Sequence, residues 1–400
     1  MTGKAAIVHD TALESYGFGG EHPFNPLRLR LTLELCENMG LLEDYPLTPS
    51  EPATVRDLTT VHNLTYVRMV QEAGRGSALL SDLLNYGIGT GDNPVFPDMH
   101  AACARVVGGV LEACRVVMRG DAAHAMCISG GLHHALRSQA SGFCVYNDAG
   151  VAIARLKEEH PGIRIAYVDT DAHHGDGVQW MFFEDPDVLT VSMHESGLYL
   201  FPGTGEVHEK GSGEGIGYSV NAPLEPFTDD SSWISCFDAL VPEVLRAFAP
   251  DIIISQNGCD AHALDPLTHL RATTRLYEHV PKKIHDLAHE LCDGRWVATG
   301  GGGYDIWRVV PRAWTMLWAA LSHQELPEKV PQDWTSRRAE QSPVELPFLM
   351  RDDPLDYPPI DRADEISTRN RKTVEDLLEK VLPLIEERRT PTWRKRPDGC

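Results

Sequence analysis

The 400-residue sequence predicts an α/β fold: a single domain on a central, mostly parallel β-sheet of about eight strands, with helices on both faces and a C-terminal extension. Three observations lead there. Short apolar runs end abruptly in glycine or polar residues, segments long enough for helices separate those runs, and the chain's most polar, glycine-rich strings follow directly on them. Strands alternating with helical segments are the pattern of a parallel sheet with crossover helices. With 42% apolar residues, a chain of this length can bury one large core or two ordinary domains.

The strands expected from the runs are residues 4–8, 123–128, 163–168, 188–193, 251–255 and 295–299. Segments 100–119, 148–159 and 228–248 carry apolar residues three and four apart and supply crossover helices. Ser-Gly-Gly-Leu-His-His follows Ile128, Asp-Thr-Asp-Ala-His-His-Gly-Asp-Gly follows Val168, Gln-Asn-Gly-Cys-Asp follows Ser255, and Gly-Gly-Gly-Gly-Tyr follows Thr299. Ligands of open α/β sheets sit in the crevice outside the carboxyl ends of the strands, so four segments distant in sequence can converge there. From about Glu325 prolines at 327, 331, 343, 347, 354, 358 and 359 interrupt any periodicity. Residues 1–325 are therefore expected to form the domain, and 326–400 a proline-rich extension wrapping its surface. A helix over 371–389, with apolar Val374, Leu377, Leu378, Val381, Leu382 and Ile385, closes the extension, and Pro383 should kink it.

The 58 acidic and 36 basic side chains leave a formal charge of −22, which argues against a nucleic-acid partner because such a surface needs a basic footprint. The N-terminal residues lack the basic, apolar and small-residue succession of a signal peptide, and no apolar run reaches the roughly 20 residues that span a bilayer. Nine cysteines without a CxxC pair read as reduced thiols. A cytoplasmic protein with no membrane partner is expected.

In Asp169-Thr-Asp171-Ala-His173-His174-Gly-Asp176, residues two apart point the same way, so Asp171 and His173 can share a ligand. Carboxylates with an imidazole suit a zinc-class divalent ion, and a catalytic site takes about three protein ligands with one position left open. Asp260 is the best third ligand, because residues 251–255 deliver Gln256-Asn-Gly-Cys-Asp260 to the same sheet edge. The alternative, acids that only cap helices or pair with arginines, fits a lone aspartate better than this string. Gly130-Gly-Leu-His133-His134 brings adjacent imidazoles to another strand end, one expected as general base and its neighbour as electrostatic support, with Asp169 and Asp176 available to orient them. Isolated histidines are more often structural, and His9, His22, His62, His194 and His262 are read so. The four-glycine loop ends in Tyr304, whose hydroxyl can donate to a developing oxyanion. The Lys-Ser/Thr of a phosphate-cradling loop is absent.

Together these segments resemble the histone deacetylase family, most closely its bacterial acetoin-utilisation branch, within the arginase/deacetylase type of fold. The matching strings, in the family's order over roughly residues 5–325, are His22-Pro-Phe-Asn-Pro-Leu-Arg28, Asp92-Asn-Pro-Val-Phe96, Gly130-Gly-Leu-His-His134, Gly142-Phe-Cys-Val-Tyr-Asn-Asp148, residues 169–177, Phe201-Pro-Gly-Thr-Gly205, Gly258-Cys-Asp260 and Gly300-Gly-Gly-Gly-Tyr304. The resemblance implies Zn2+, with Fe2+ as the alternative, on Asp171, His173 and Asp260. It implies His134 paired to Asp176 as general base and acid, His133 paired to Asp169 as helper, and Tyr304 as oxyanion donor. Phe143, Phe201, Gly142 and Leu267 match residues around the acyl-lysine stem, and Asp92 matches a rim acid that reads the substrate backbone. One or two structural K+ ions are also implied, one of them held by Asp169, Asp171, His173, Ser192 and Met193. Gly175 stands where related arginases place an acid for a second metal, so one catalytic metal is expected. The implied reaction is hydrolysis of N-ε-acetyl-lysine in an acetylated protein, such as acetyl-CoA synthetase. The rival readings are an acetylpolyamine amidohydrolase and a catalytically silent acyl-lysine binding module. Leu200 and Asn25 depart from the strings usual in eukaryotic members, so rim contacts do not transfer.

Overall fold

The computed structural model describes residues 4–387. One sheet holds seven strands, β1 (Ala5–Ile7), β2 (His124–Cys127), β3 (Ile165–Asp169), β4 (Val188–Glu195), β5 (Ser219–Leu224), β6 (Ile252–Gln256) and β7 (Trp296–Thr299). Their order is β1-β2-β7-β6-β3-β4-β5 and every neighbouring pair is parallel. Among the described residues the sheet thus has seven strands, close to the eight or so expected, and it is parallel throughout. Six of them match the apolar runs to within two residues at either end. The unforeseen strand is β5, whose Asn221 and Pro223 break up its apolar character. It lies at the sheet edge, where a residue without an N–H is tolerated.

Successive strand residues face opposite sides, as the two-residue period of a strand requires. Ala125, Cys127, Ile165, Tyr167 and Val297 join one core with the helices Leu64–Arg75, Met99–Arg119 and Asp148–Glu159. Met126, Ala166, Val168 and Ala298 join another with Leu27–Asn38, Asp230–Phe248, Thr274–Cys292 and Val310–Ser322. The expected helix over 228–248 starts two residues late because Asp229 caps it, accepting from the Ser232 amide at 2.8 Å.

Residues beyond 325 share the second core: Trp334, Met350, Val374 and Leu377 are buried in it, and Trp334 donates to the Leu31 carbonyl at 3.1 Å. The final helix starts at Ala363 rather than 371, and it breaks at Val381 rather than at Pro383. The proline ring crowds the carbonyl four residues back and offers it no N–H, so the interruption falls upstream of the proline itself. Residues 388–389 of the expected helix, and the rest of the extension to 400, lie outside the described residues. Among the described residues no helix is long and apolar enough to cross a membrane.

Candidate metal centre and catalytic site

Cys127, Thr299, Gln256, Asp169 and Ser192 are register partners in one row across β2, β7, β6, β3 and β4. The four loops singled out in the sequence leave from β2, β7, β6 and β3, which are consecutive in the sheet. That adjacency brings residues as far apart in the chain as His133 and Tyr304 to one end of the sheet.

At its centre His173 Nδ1 lies 3.1 Å from Asp171 Oδ1 and 2.9 Å from Asp260 Oδ2. One ligand-type atom from each of the three falls within 4.8 Å of the others. All three residues are buried. The second oxygen of each carboxylate is held by other donors: Asp171 Oδ2 accepts from Gln256 Nε2 and the Gly302 amide, both at 2.6 Å, and Asp260 Oδ1 accepts from the Ala172 amide at 2.8 Å. The glycine at 302 is a steric requirement, since a Cβ there would stand 2.1 Å from Asp260 Oδ2.

Burial alone would lower the pKa of His173, but hydrogen bonds and charge from Asp171 and Asp260 outweigh it and raise it well above the ordinary value. A proton between two carboxylates occupies the position of a cation. Two carboxylates and one imidazole are a donor set that fits a catalytic zinc-class ion.

Beside this centre His133 Nδ1 meets Asp169 Oδ2 at 2.8 Å and His134 Nδ1 meets Asp176 Oδ1 at 2.7 Å. The two Nε2 atoms face each other at 3.0 Å. Burial works against charge on His133, but Asp169 and Asp171 together hold its pKa at about 9. His134 is pushed well down, by burial first and then by His133 and His173. Burial lifts Asp176 to about 6.

Asp169 is fully engaged, accepting from the Asp171 amide at 3.1 Å through Oδ1 and from the Tyr167 hydroxyl at 2.8 Å through Oδ2. Its register partner Ser192 lies beside the Gly175 amide, whose nitrogen is 3.4 Å from Ser192 Oγ, and Met193 follows on the same strand. The five residues expected around a monovalent ion thus share the β3 and β4 ends.

Tyr304 is set by its backbone, whose amide donates to Asp265 Oδ2 at 2.8 Å. Arg28, buried against Phe24 and Trp314, donates to the preceding Gly303 carbonyl at 3.1 Å. Burial first, then Asp260 and Asp171, raise the phenol pKa well above its usual value, so it remains a proton donor. The Tyr304 ring meets Phe143 edge-on at 5.8 Å, and Phe201 packs against His134 at 5.0 Å and His173 at 6.5 Å. Gly142 lies between His134 and Phe201. Leu267 is half-buried, its amide donating to Asp265 Oδ1 at 3.0 Å. Asp92 is exposed, and its carbonyl lies 3.2 Å from His22 Nε2, whose ring sits 4.7 Å from Phe143. His22 therefore links Asp92 to Phe143.

Sequence reasoning missed Gln256, Asp265, Tyr167 and the anchoring role of Arg28. Gln256 was within reach, being the first residue after an expected strand and the head of the Asp260 string. Asp265 carries no local signal; its importance comes from joining Leu267 and Tyr304, which are far apart in the chain. His62 and His262 are tied to backbone or carboxylate partners, while His194 lies between the Gly205 carbonyl at 3.0 Å and the Ser192 hydroxyl at 2.8 Å.

Comparison with known proteins adds three findings. A family model described as histone deacetylase domain matches residues 22–321. The acetoin utilization protein AcuC of Bacillus subtilis (strain 168) is 46% identical over 374 residues, covering 94% of this chain and 96% of the relative. Its namesake in Staphylococcus aureus (strain MRSA252) is 41% identical over 370 residues, covering 92% and 95%. Among solved structures, an HDAC homolog complexed with SAHA superposes with a TM-score of 0.82 at 27% identity, and an HDAC homolog from Aquifex aeolicus with 0.81 at 27%; each comparison covers 94% of this chain and 99% of the other.

Proposed function

The chain belongs to the histone deacetylase family and is a hydrolytic deacetylase, and from that premise we propose that it cleaves N-ε-acetyl-lysine in proteins, releasing acetate and lysine. One observation carries this reading. Four consecutive strand ends gather two carboxylates and an imidazole around one point, beside two imidazoles that each have a carboxylate of their own.

The family implies a catalytic metal, which we assign as Zn2+ on Asp171, His173 and Asp260. Bound there, the ion would polarise the acyl carbonyl and acidify the attacking water. His134 takes the water proton at Nε2, its other nitrogen held by Asp176, and returns a proton to the departing amine. His133, backed by Asp169, stabilises the charge that develops. Tyr304 donates to the carbonyl oxygen as it becomes anionic. Phe143, Phe201, Gly142 and Leu267 enclose the acyl-lysine stem, and Asp92 accepts from the substrate backbone. Asp169, Asp171, His173, Ser192 and Met193 would hold a K+ ion, which would brace the loop that carries two of the metal ligands.

The relatives' name links them to acetoin utilization, which supports a cytoplasmic metabolic enzyme such as acetyl-CoA synthetase as the acetylated partner. The test is turnover of an acetyl-lysine peptide against acetylspermidine by zinc-loaded protein. Preference for the peptide supports the proposal, and preference for the polyamine replaces it with acetylpolyamine hydrolysis.

A further inference from the structure

At the amino-terminal end of the strands, opposite the catalytic loops, four imidazoles from three elements meet. His124 opens β2, His285 and His289 stand one turn apart on the Thr274–Cys292 helix, and His323 directly follows the Val310–Ser322 helix. One ring nitrogen from each lies within 4.8 Å of the others. His124 Nε2 is 3.2 Å from His289 Nε2, and His285 Nε2 is 3.1 Å from His323 Nε2. Zinc–nitrogen bonds of about 2.0–2.1 Å place the donors of a tetrahedral site about 3.3–3.4 Å apart. Both short pairs sit near that edge length, and the longer separations can close by ring rotation because His289 and His323 are exposed.

The surroundings suit an ion better than a hydrophobic packing role. His124 is fully buried, while the other three leave a route from solvent. None of the four is a carboxylate, but Asp286 Oδ1 lies 3.5 Å from His285 Nδ1, the outer partner that orients a metal-bound imidazole. His323 has φ 56 at a helix C-terminus, where glycine is the usual residue, so the imidazole is kept against the backbone's preference. Gly294 leaves room for His289, whose Cε1 would be 2.9 Å from a Cβ at 294. Burial, then the other three imidazoles, push His124 down to about 3, so that at neutral pH the ring offers a lone pair.

We propose that His124, His285, His289 and His323 form a second, all-imidazole site for a zinc-class transition-metal ion, separate from the catalytic centre. Imidazole donors suit zinc, copper and nickel. A bound ion would clamp β2 to two helices at the base of the sheet and stabilise the folded chain in proportion to its occupancy.

The experiment strips the full-length protein with a chelator, reloads it with zinc chloride, removes the excess and counts zinc per chain. Wild type is expected to hold two equivalents, and His323→Gly and His289→Gln one each. His323→Gly suits the φ of its position, so its metal-free melting temperature should equal or exceed that of wild type, while the zinc-induced rise in melting temperature shrinks. Deacetylase turnover of zinc-loaded His323→Gly should match wild type, which identifies the missing equivalent as the non-catalytic one. One equivalent in wild type that both variants retain, or two in both variants, overturns the proposal, whereas one equivalent that both variants lose would count against the carboxylate–imidazole centre instead.

Discussion

Replacing Gly142 by alanine drives a methyl group between the imidazole assigned as general base and an aromatic wall. A Cβ at this position would lie 2.4 Å from His134 Cδ2 and 2.8 Å from Phe201 Cε1. Carbon atoms make favourable contact only from about 3.5 Å, so the imidazole must retreat by about 1 Å. Phe201 is 43% exposed and can swing outward, but His134 is buried and pinned by Asp176 at 2.7 Å. Moving it breaks that hydrogen bond and shifts the proton acceptor away from the water it must reach. A displacement of about 1 Å costs on the order of 10²-fold in rate, or about 2.7 kcal/mol of barrier. Gly142 also has φ 51, so alanine adds about 1–2 kcal/mol of backbone strain to the folded state. The assay is kcat/KM on an acetyl-lysine peptide, with metal content and denaturant unfolding measured on the same preparation. Turnover about 10²-fold down, stability reduced by about 1–2 kcal/mol and unchanged metal content are expected. Wild-type turnover with wild-type stability would refute the placement of Gly142 against the catalytic imidazole.

Three further outcomes follow from the geometry. Tyr304→Phe should leave metal content intact and lower kcat by about 10²–10³-fold, the usual loss for one oxyanion donor; a fully active variant would remove the phenol from the mechanism. Asp265→Asn presents a donor to one of two amides, at Leu267 and Tyr304, that now donate to the carboxylate; kcat should fall about tenfold or more as Tyr304 shifts, and unchanged kcat would show that the loop is held by other contacts. His62 donates from Nδ1 to the Leu136 carbonyl and accepts at Nε2 from the Asn147 amide, both at 3.0 Å, so only the neutral ring satisfies both. Burial depresses its pKa to about 4 in the folded chain, against 6.5 unfolded. Its contribution is complete above about pH 6.5 and is lost as pH falls toward 4, by up to about 3 kcal/mol. Denaturant unfolding at pH 7.5 and pH 5 should show a smaller loss for His62→Gln than for wild type, and equal losses would contradict this.

The residues that do chemistry were more legible than those that hold them in place. Asp171, His173 and Asp260 could be read because an apolar strand leads into each string, although Asp171 and His173 lie in the loop beyond β3, where strand alternation no longer applies. Their convergence depended on β2, β7, β6 and β3 being consecutive in the sheet, which no local pattern encodes. The strand β5 was hidden because an edge strand needs less apolar surface and can carry Pro223. Gln256, Asp265 and Arg28 act through contacts between segments distant in the chain, so their neighbours in sequence say little about them. The imidazole cluster was half visible, since His285 and His289 have the four-residue spacing of one helix face. His124 and His323 join it only through the packing of β2 against the Thr274–Cys292 and Val310–Ser322 helices.

The central claim is that one divalent ion held by Asp171, His173 and Asp260 makes the acetyl-lysine amide hydrolysable. It is tested most directly in the His323→Gly background, which leaves the carboxylate–imidazole centre as the remaining metal site. Chelator-stripped protein is titrated with zinc while acetate release from an acetyl-lysine peptide is followed. Silence without metal and full recovery at one equivalent of zinc is the predicted result; steady turnover by the metal-free protein would contradict it.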